Sequence, residues 1–286
     1  MIRSLTRRVL GSAAAAVDLV ATAAVTAHAQ RTGQARERPH AERVRALERL
    51  EARFRDASLD GFFAEPRAIV PGERRVRGLS RGGSVTDLSW QSAFTPLDTE
   101  IGAHYASARE NAVAVARRFS RGAGRPAVIL IHGYMAGPFA FEERIWPISR
   151  LDRAGFDVVL FTLPFHGLRA RVGYGAVPEF PGGDPRLNVE GFRQASFDLQ
   201  NLLGWLRAQG HPRVGVIGMS LGGYTAALLA TAEAQLDFVV PVIPLSSLAD
   251  FAREQGSLSP DPEEAAAQHA LLESIYRRVS PVARPS

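Results

Sequence analysis

A chain of 286 residues, 46% hydrophobic and 22% charged, has an ordinary globular composition and is long enough for one large α/β domain. With no cysteine, disulfides, thiolate metal sites and cysteine nucleophiles are excluded. The formal net charge of +5 rests on arginine alone, and the arginines are scattered without the aromatic-interleaved stripe of a nucleic-acid binder, so no nucleic-acid partner is expected.

The N-terminus offers two readings. Arg3, Arg7 and Arg8 precede an alanine-rich run, Val9 to Val25, that ends near Ala27-His28-Ala29. This has the order of a secretory signal with an A-x-A cleavage site. Asp18 interrupts the run, where a carboxylate costs roughly 2.5–3.5 kcal/mol on insertion scales. The reading favours the cytoplasm, with export through this segment as the alternative. No other stretch approaches the ~20 apolar residues of a transmembrane span. Residues 1–40 are thus an extension or signal segment with a linker. Residues 41–60 carry an amphipathic helix, with Val44, Leu47, Leu50 and Phe54 at helical spacing and charges between. Its expected role is to dock on the main domain, residues 61–286.

Strand-like pieces follow at Val76–Leu79, Asp87–Trp90 and Ala112–Phe119. The Gly-rich link Ser120–Gly124 predicts a hairpin between the last of these and Ala127–Ile131, a continuous apolar run of the buried kind. A helix is predicted from about Phe141 to Ala154, then a strand over Phe156–Phe161, then a long Gly/Pro-rich loop over Pro164–Leu187. Asn188 is the expected cap of the next helix, and Gly210 its stop. A strand at Val214–Met219, a helix at Tyr224–Thr231, a strand at Phe238–Leu245 and a helix at Pro262–Arg278 complete the pattern. Alternating strands and helices predict an α/β fold, a mostly parallel sheet with helices on both faces.

The chemistry concentrates at Gly218-Met219-Ser220-Leu221-Gly222-Gly223, between a predicted strand and a predicted helix. Gly-x-Ser-x-Gly in that setting holds the serine on a sharp turn with its hydroxyl exposed. Gly218 and Gly222 are the small residues such a turn needs. A serine hydroxyl also needs a base, and donors for the oxyanion that forms. The loop His132-Gly133-Tyr134 follows a buried strand, and the amides of Tyr134 and Leu221 are the candidate donors. His132 itself is read as a loop histidine bonded to backbone.

These motifs resemble the α/β-hydrolase superfamily: His132-Gly133 after one strand, Gly218–Gly223 after a later one, and Leu163-Pro164-Phe165-His166-Gly167 after the strand between. Their pairing is similar to a poorly characterised group of domain-containing hydrolases. The resemblance implies acyl transfer through a Ser220 acyl-enzyme, a small-molecule acyl substrate, and no metal or organic cofactor. It also implies the chain order Ser, then Asp or Glu, then His.

Here the sequence departs from the pattern. One histidine follows Ser220, His269, and it falls inside a predicted helix, where a surface or lid position is expected of it. Asp250, after the strand ending at Leu245, is the candidate acid. Too little chain follows for two more strand–helix units of about 30 residues each. The reading is a C-terminally incomplete domain with an uncovered sheet edge. A serine esterase-like hydrolase is the expected function, with an inactive binding protein of the same fold as the alternative. Phe139, Phe141, Trp146 and the Pro164–Leu187 loop are readable as pocket, core or lid, and the oligomeric state is left open.

Overall fold

The computed structural model describes residues 39–55, 61–171, 178–254 and 256–283. The alanine-rich segment and most of the expected linker lie outside the described residues. Seven strands form one sheet: β1 (Gly72–Gly78), β2 (Ser84–Gln91), β3 (Val113–Ser120), β4 (Ala127–Ile131), β5 (Asp157–Phe161), β6 (Val214–Met219) and β7 (Val239–Val242). Their spatial order is β1-β2-β3-β5-β4-β6-β7. The first three run antiparallel to their neighbours, and β4 to β7 are parallel to one another. The helices are α1 (His40–Arg55), α2 (Gly102–Ser107), α3 (Phe139–Ile145), α4 (Ile148–Arg153), α5 (Pro185–Ala208), α6 (Leu221–Ala232), α7 (Leu248–Glu254) and α8 (Pro262–Tyr276).

Strand alternation sorts the core into two layers. Ile129, Ile131, Val159 and Phe161 pack with residues of α1, α5, α6 and α8 in the larger cluster. Val128, Leu130, Val158 and Leu160 pack with Phe139, Trp146 and Leu151 in the smaller one. Helices therefore cover both faces, which is the α/β architecture expected. Among the described residues no helix is long and apolar enough to cross a membrane.

Three local expectations are corrected. β3 and β4 do not form a hairpin, because β5 lies between them, antiparallel to β3 and parallel to β4. The Gly-rich link must span two strand spacings, about 10 Å, and Arg121 fixes it by bonding Asp152 and the Ser80 and Gly82 carbonyls. The helix drawn over 141–154 is two helices, broken at Trp146-Pro147, since proline lacks the N–H that would continue the ladder. The cap of α5 is Asp184, not Asn188; its carboxylate accepts from the Arg186 amide at 3.0 Å, with Pro185 in the first turn. Asn188 is buried and bonds Gly182 and the Tyr276 hydroxyl instead.

Helix α1 is docked on the body. Leu50 and Phe54 are buried, Phe54 meets Phe62 edge-on, and Glu51 accepts from the Ser274 hydroxyl on α8. Arg53 reaches the buried Asp98 at 2.6 Å.

Candidate active site

The parallel strands β4, β5 and β6 end on the same side, where an open α/β sheet places its ligands. Ser220 is the single residue between β6 and α6, with φ of 53° and ψ of −114°. A non-glycine residue at positive φ is strained, and such strain persists where the surroundings hold it. Here the Ser220 amide donates to the Val242 carbonyl of β7 at 2.9 Å, and its carbonyl accepts from Tyr224 at 2.9 Å. The turn leaves no room for a side chain on either side of it. A Cβ on Gly218 would lie 2.0 Å from the Gly222 carbonyl oxygen, and one on Gly222 would lie 2.2 Å from the Ile131 carbonyl oxygen. Gly222 is thus the point where the first turn of α6 touches the end of β4.

The loop after β4 lies against the serine. A Cβ on Gly133 would sit 3.5 Å from the Ser220 Cβ and 3.5 Å from the Met219 carbonyl oxygen. The Tyr134 amide is one peptide further on. Leu221 opens α6, so its amide has no intrahelical acceptor. Among the described residues neither of these two amides donates to a protein group.

The other residues of that loop hold it in place. His132 is fully buried, with Nε2 accepting from the Leu163 amide at 3.0 Å and Nδ1 at 2.7 Å from the Gly133 carbonyl. Glu142, also buried, accepts from the Gly137 amide and from the Trp146 indole. His166, from the loop after β5, packs 5.0 Å from the His132 ring and edge-on to Tyr134. Burial pushes both histidines below the usual histidine range, His166 well below, so both rings are neutral near pH 7. Burial raises the Tyr134 phenol above its ordinary range.

Asp250 and His269, 19 positions apart on α7 and α8, meet directly: His269 Nε2 lies 3.0 Å from Asp250 Oδ1. Sequence reasoning placed His269 on a helix and missed its partner, because the α7–α8 turn that joins them leaves no spacing signal. Arg253 also bonds Asp250, at 2.5 Å. Glu273 completes a group whose possible ligand atoms lie within 4.8 Å of one another. With Arg253 on Asp250 and the Ser247 hydroxyl on Glu273, these carboxylates are already partnered, and the donor set fits an ion-pair cluster better than a divalent cation. Among the described residues, no histidine hydrogen-bonds the Ser220 hydroxyl. Of the aromatic residues considered for a pocket, Phe139 is core and Phe141 is exposed, while Trp146 packs against the smaller cluster.

Comparison with known proteins finds similar sequences and structures and one matching family. An uncharacterized protein of Mycobacterium tuberculosis, found in two strains, is 32% identical over 228 residues, covering 78% of this chain and 54% of that protein. The chain thus spans about half the length of the curated relatives it matches. Among solved structures, an acetyl xylan esterase from Paenibacillus sp. R4 aligns with a TM-score of 0.46 at 14% identity, over 82% of this chain and 75% of that one. Acetyl xylan esterase 1 from Thermoanaerobacterium sp. JW/SL YS485 aligns with a TM-score of 0.46 at 17% identity, over 81% and 73%. A family model described as "Alpha/beta hydrolase family" matches residues 128–284, more than half of the sequence. The chain belongs to the alpha/beta hydrolase family.

Proposed function

We propose that this protein is a serine hydrolase that cleaves a carboxylic ester, or a related acyl bond, through an acyl-enzyme on Ser220. The observation that carries the reading is the backbone of Ser220, held at positive φ between β6 and α6 with Gly133 against its Cβ, while among the described residues the Tyr134 and Leu221 amides donate to no protein group. The Ser220 oxygen would attack the acyl carbonyl while its proton passes to a base. The amides of Tyr134 and Leu221 would receive the oxyanion, each worth roughly 3 kcal/mol of transition-state stabilisation. Collapse expels the alcohol with a proton, and water then cleaves the acyl-enzyme by the same route. Asp250 is the candidate acid, and its 3.0 Å bond to His269 supports that role by giving it an imidazole to orient.

A fluorophosphonate probe tests this directly. Labelling of the wild-type chain, and none of Ser220→Ala, is expected. Equal labelling of the two sinks the assignment, as does a folded wild type that does not react. Slower labelling of His269→Gln is expected if the Asp250–His269 couple feeds the reaction. A second reading, a non-catalytic binding protein of this fold, is favoured by the lack, among the described residues, of a histidine bonded to the Ser220 hydroxyl. It predicts that Ser220→Ala changes no ligand affinity.

A further inference from the structure

We propose that His132 is a positioning residue that aims the Tyr134 amide at the acyl oxygen, by gripping the carbonyl of the same peptide unit. The inference rests on Ser220 being the nucleophile. It begins with the tautomer. The Leu163 N–H points at His132 Nε2, so Nε2 must be the lone-pair nitrogen and Nδ1 must carry the proton. Nδ1–H therefore donates to the Gly133 carbonyl, 2.7 Å away. That carbonyl also accepts from the Ala136 amide at 3.3 Å, so it is held from two directions.

A trans peptide is planar, and its C=O and N–H point opposite ways. Fixing the Gly133 carbonyl toward the ring therefore fixes the Tyr134 N–H away from it. Gly133 itself lies against the Ser220 Cβ. The undonated Tyr134 amide then opens on the serine side of the loop rather than into its interior. The imidazole is in turn anchored through Leu163 to the end of β5, and Gly137 and His166 close around it: a Cβ on Gly137 would lie 3.0 Å from His132 Nε2 and 3.3 Å from the His166 Cβ. The ring links two loops at the ends of adjacent strands, and the orientation of one peptide depends on it. An oxyanion donor works only when it is aimed before the charge develops.

Two isosteric variants separate aiming from mere structure. In His132→Asn the amide nitrogen takes the place of Nδ1 and still donates to Gly133, while the Leu163 bond is lost. In His132→Gln the amide oxygen takes the place of Nε2 and keeps Leu163, while the Gly133 carbonyl is released. Each loses one buried hydrogen bond, so a purely structural role predicts similar melting temperatures and similar reactivity. The inference predicts similar melting temperatures but different reactivity. Fluorophosphonate labelling of full-length His132→Asn should stay within about 3-fold of wild type, and His132→Gln should fall by about 10²-fold, the scale of one lost oxyanion donor. With p-nitrophenyl acetate the loss should appear in kcat and leave KM nearly unchanged.

A wild type that labels, a Ser220→Ala that does not, and Asn and Gln variants that label alike would overturn this inference and leave the nucleophile standing. Wild-type silence removes both. Should either variant fail to fold, the imidazole nitrogens of the wild type decide the point by ¹⁵N NMR: a proton on Nδ1 at pH 7 is expected, and a proton on Nε2 contradicts the proposal.

Discussion

At the scale of single residues, backbone contact decides where a small side chain is required. Gly222 is confined by backbone: the Ile131 and His132 carbonyl oxygens would stand 2.2 and 2.5 Å from an added Cβ. Neither can move without separating α6 from β4. Gly204, in the exposed face of α5, would meet nothing within 4 Å. The two glycines should respond oppositely to alanine. In urea titrations Gly222→Ala should lose about 1–3 kcal/mol, as overpacking does, together with fluorophosphonate labelling. Gly204→Ala should gain about 0.5–1 kcal/mol from helix propensity and a less flexible unfolded chain. A second residue-scale case lies beneath the sheet. Arg169 and Asp198 are both fully buried and bonded at 2.8 Å; Arg169 also donates to the Asn111 and Thr162 carbonyls, and Asp198 accepts from the Ser92 hydroxyl. Burial raises the Asp198 carboxyl, and Arg169 acts against that rise. Asp198→Asn leaves a buried guanidinium without its counter-charge and should cost about 3–5 kcal/mol, whereas Arg169→Met with Asp198→Leu should cost less than the single change. Urea midpoints of these two variants and the wild type check the order.

At the scale of elements, the apolar runs were legible because burial dictates them. β4 and β5 are buried at all five positions, and the sequence at both is nearly continuous in Val, Ile and Leu. Pairing was less legible. A short Gly-rich link between β3 and β4 carries no information about a later strand that enters between them, and local turn chemistry therefore suggested a hairpin. The candidate site divides the same way. The Gly218–Gly222 turn and the Gly133 loop are contiguous in sequence and readable; the Asp250–His269 bond and the His132–Leu163 bond join different elements and are not. β7 adds a prediction at this scale. Phe238 and Val242 accept from the Val216 and Ser220 amides, so the alternate residues Val239, Pro241 and Ile243 turn their backbone outward. Val240, Val242 and Ile243 expose apolar side chains there. Pro241 removes the central outward donor, and Ile243, at φ of 41°, turns the chain off the strand. Both features discourage edge-to-edge pairing. Pro241→Val should restore the donor, and light scattering should then show a greater mass than wild type at equal concentration.

At the scale of the whole molecule, the buried histidines make stability depend on pH with a definite sign. Burial lowers the His166 pKa far below its unfolded value, with the neighbouring His132 and Arg169 adding to the shift, while its bond to the Pro164 carbonyl opposes it. Above about pH 6.5 neither the folded nor the unfolded state protonates this ring. As pH falls below that value the unfolded chain takes up a proton that the folded chain refuses. Folding is then penalised by up to about 1.4 kcal/mol per pH unit for each such histidine, until the folded ring also titrates. His132 contributes in the same direction. Glu190 and Asp198, raised by burial, bind protons in the folded state first and act in the opposite direction as pH falls. A difference measurement removes all of these shared terms. His166→Asn can keep the Pro164 bond through its amide nitrogen, and it has no group to titrate. The unfolding free energy of wild type, from urea titrations between pH 7.5 and 5.5, should therefore fall more steeply toward acid than that of the variant. The two slopes should separate only below about pH 6.5. Parallel curves across that window would mean that the unfolded and folded states protonate His166 alike, which is incompatible with a fully buried, neutral ring between the loops that flank Ser220.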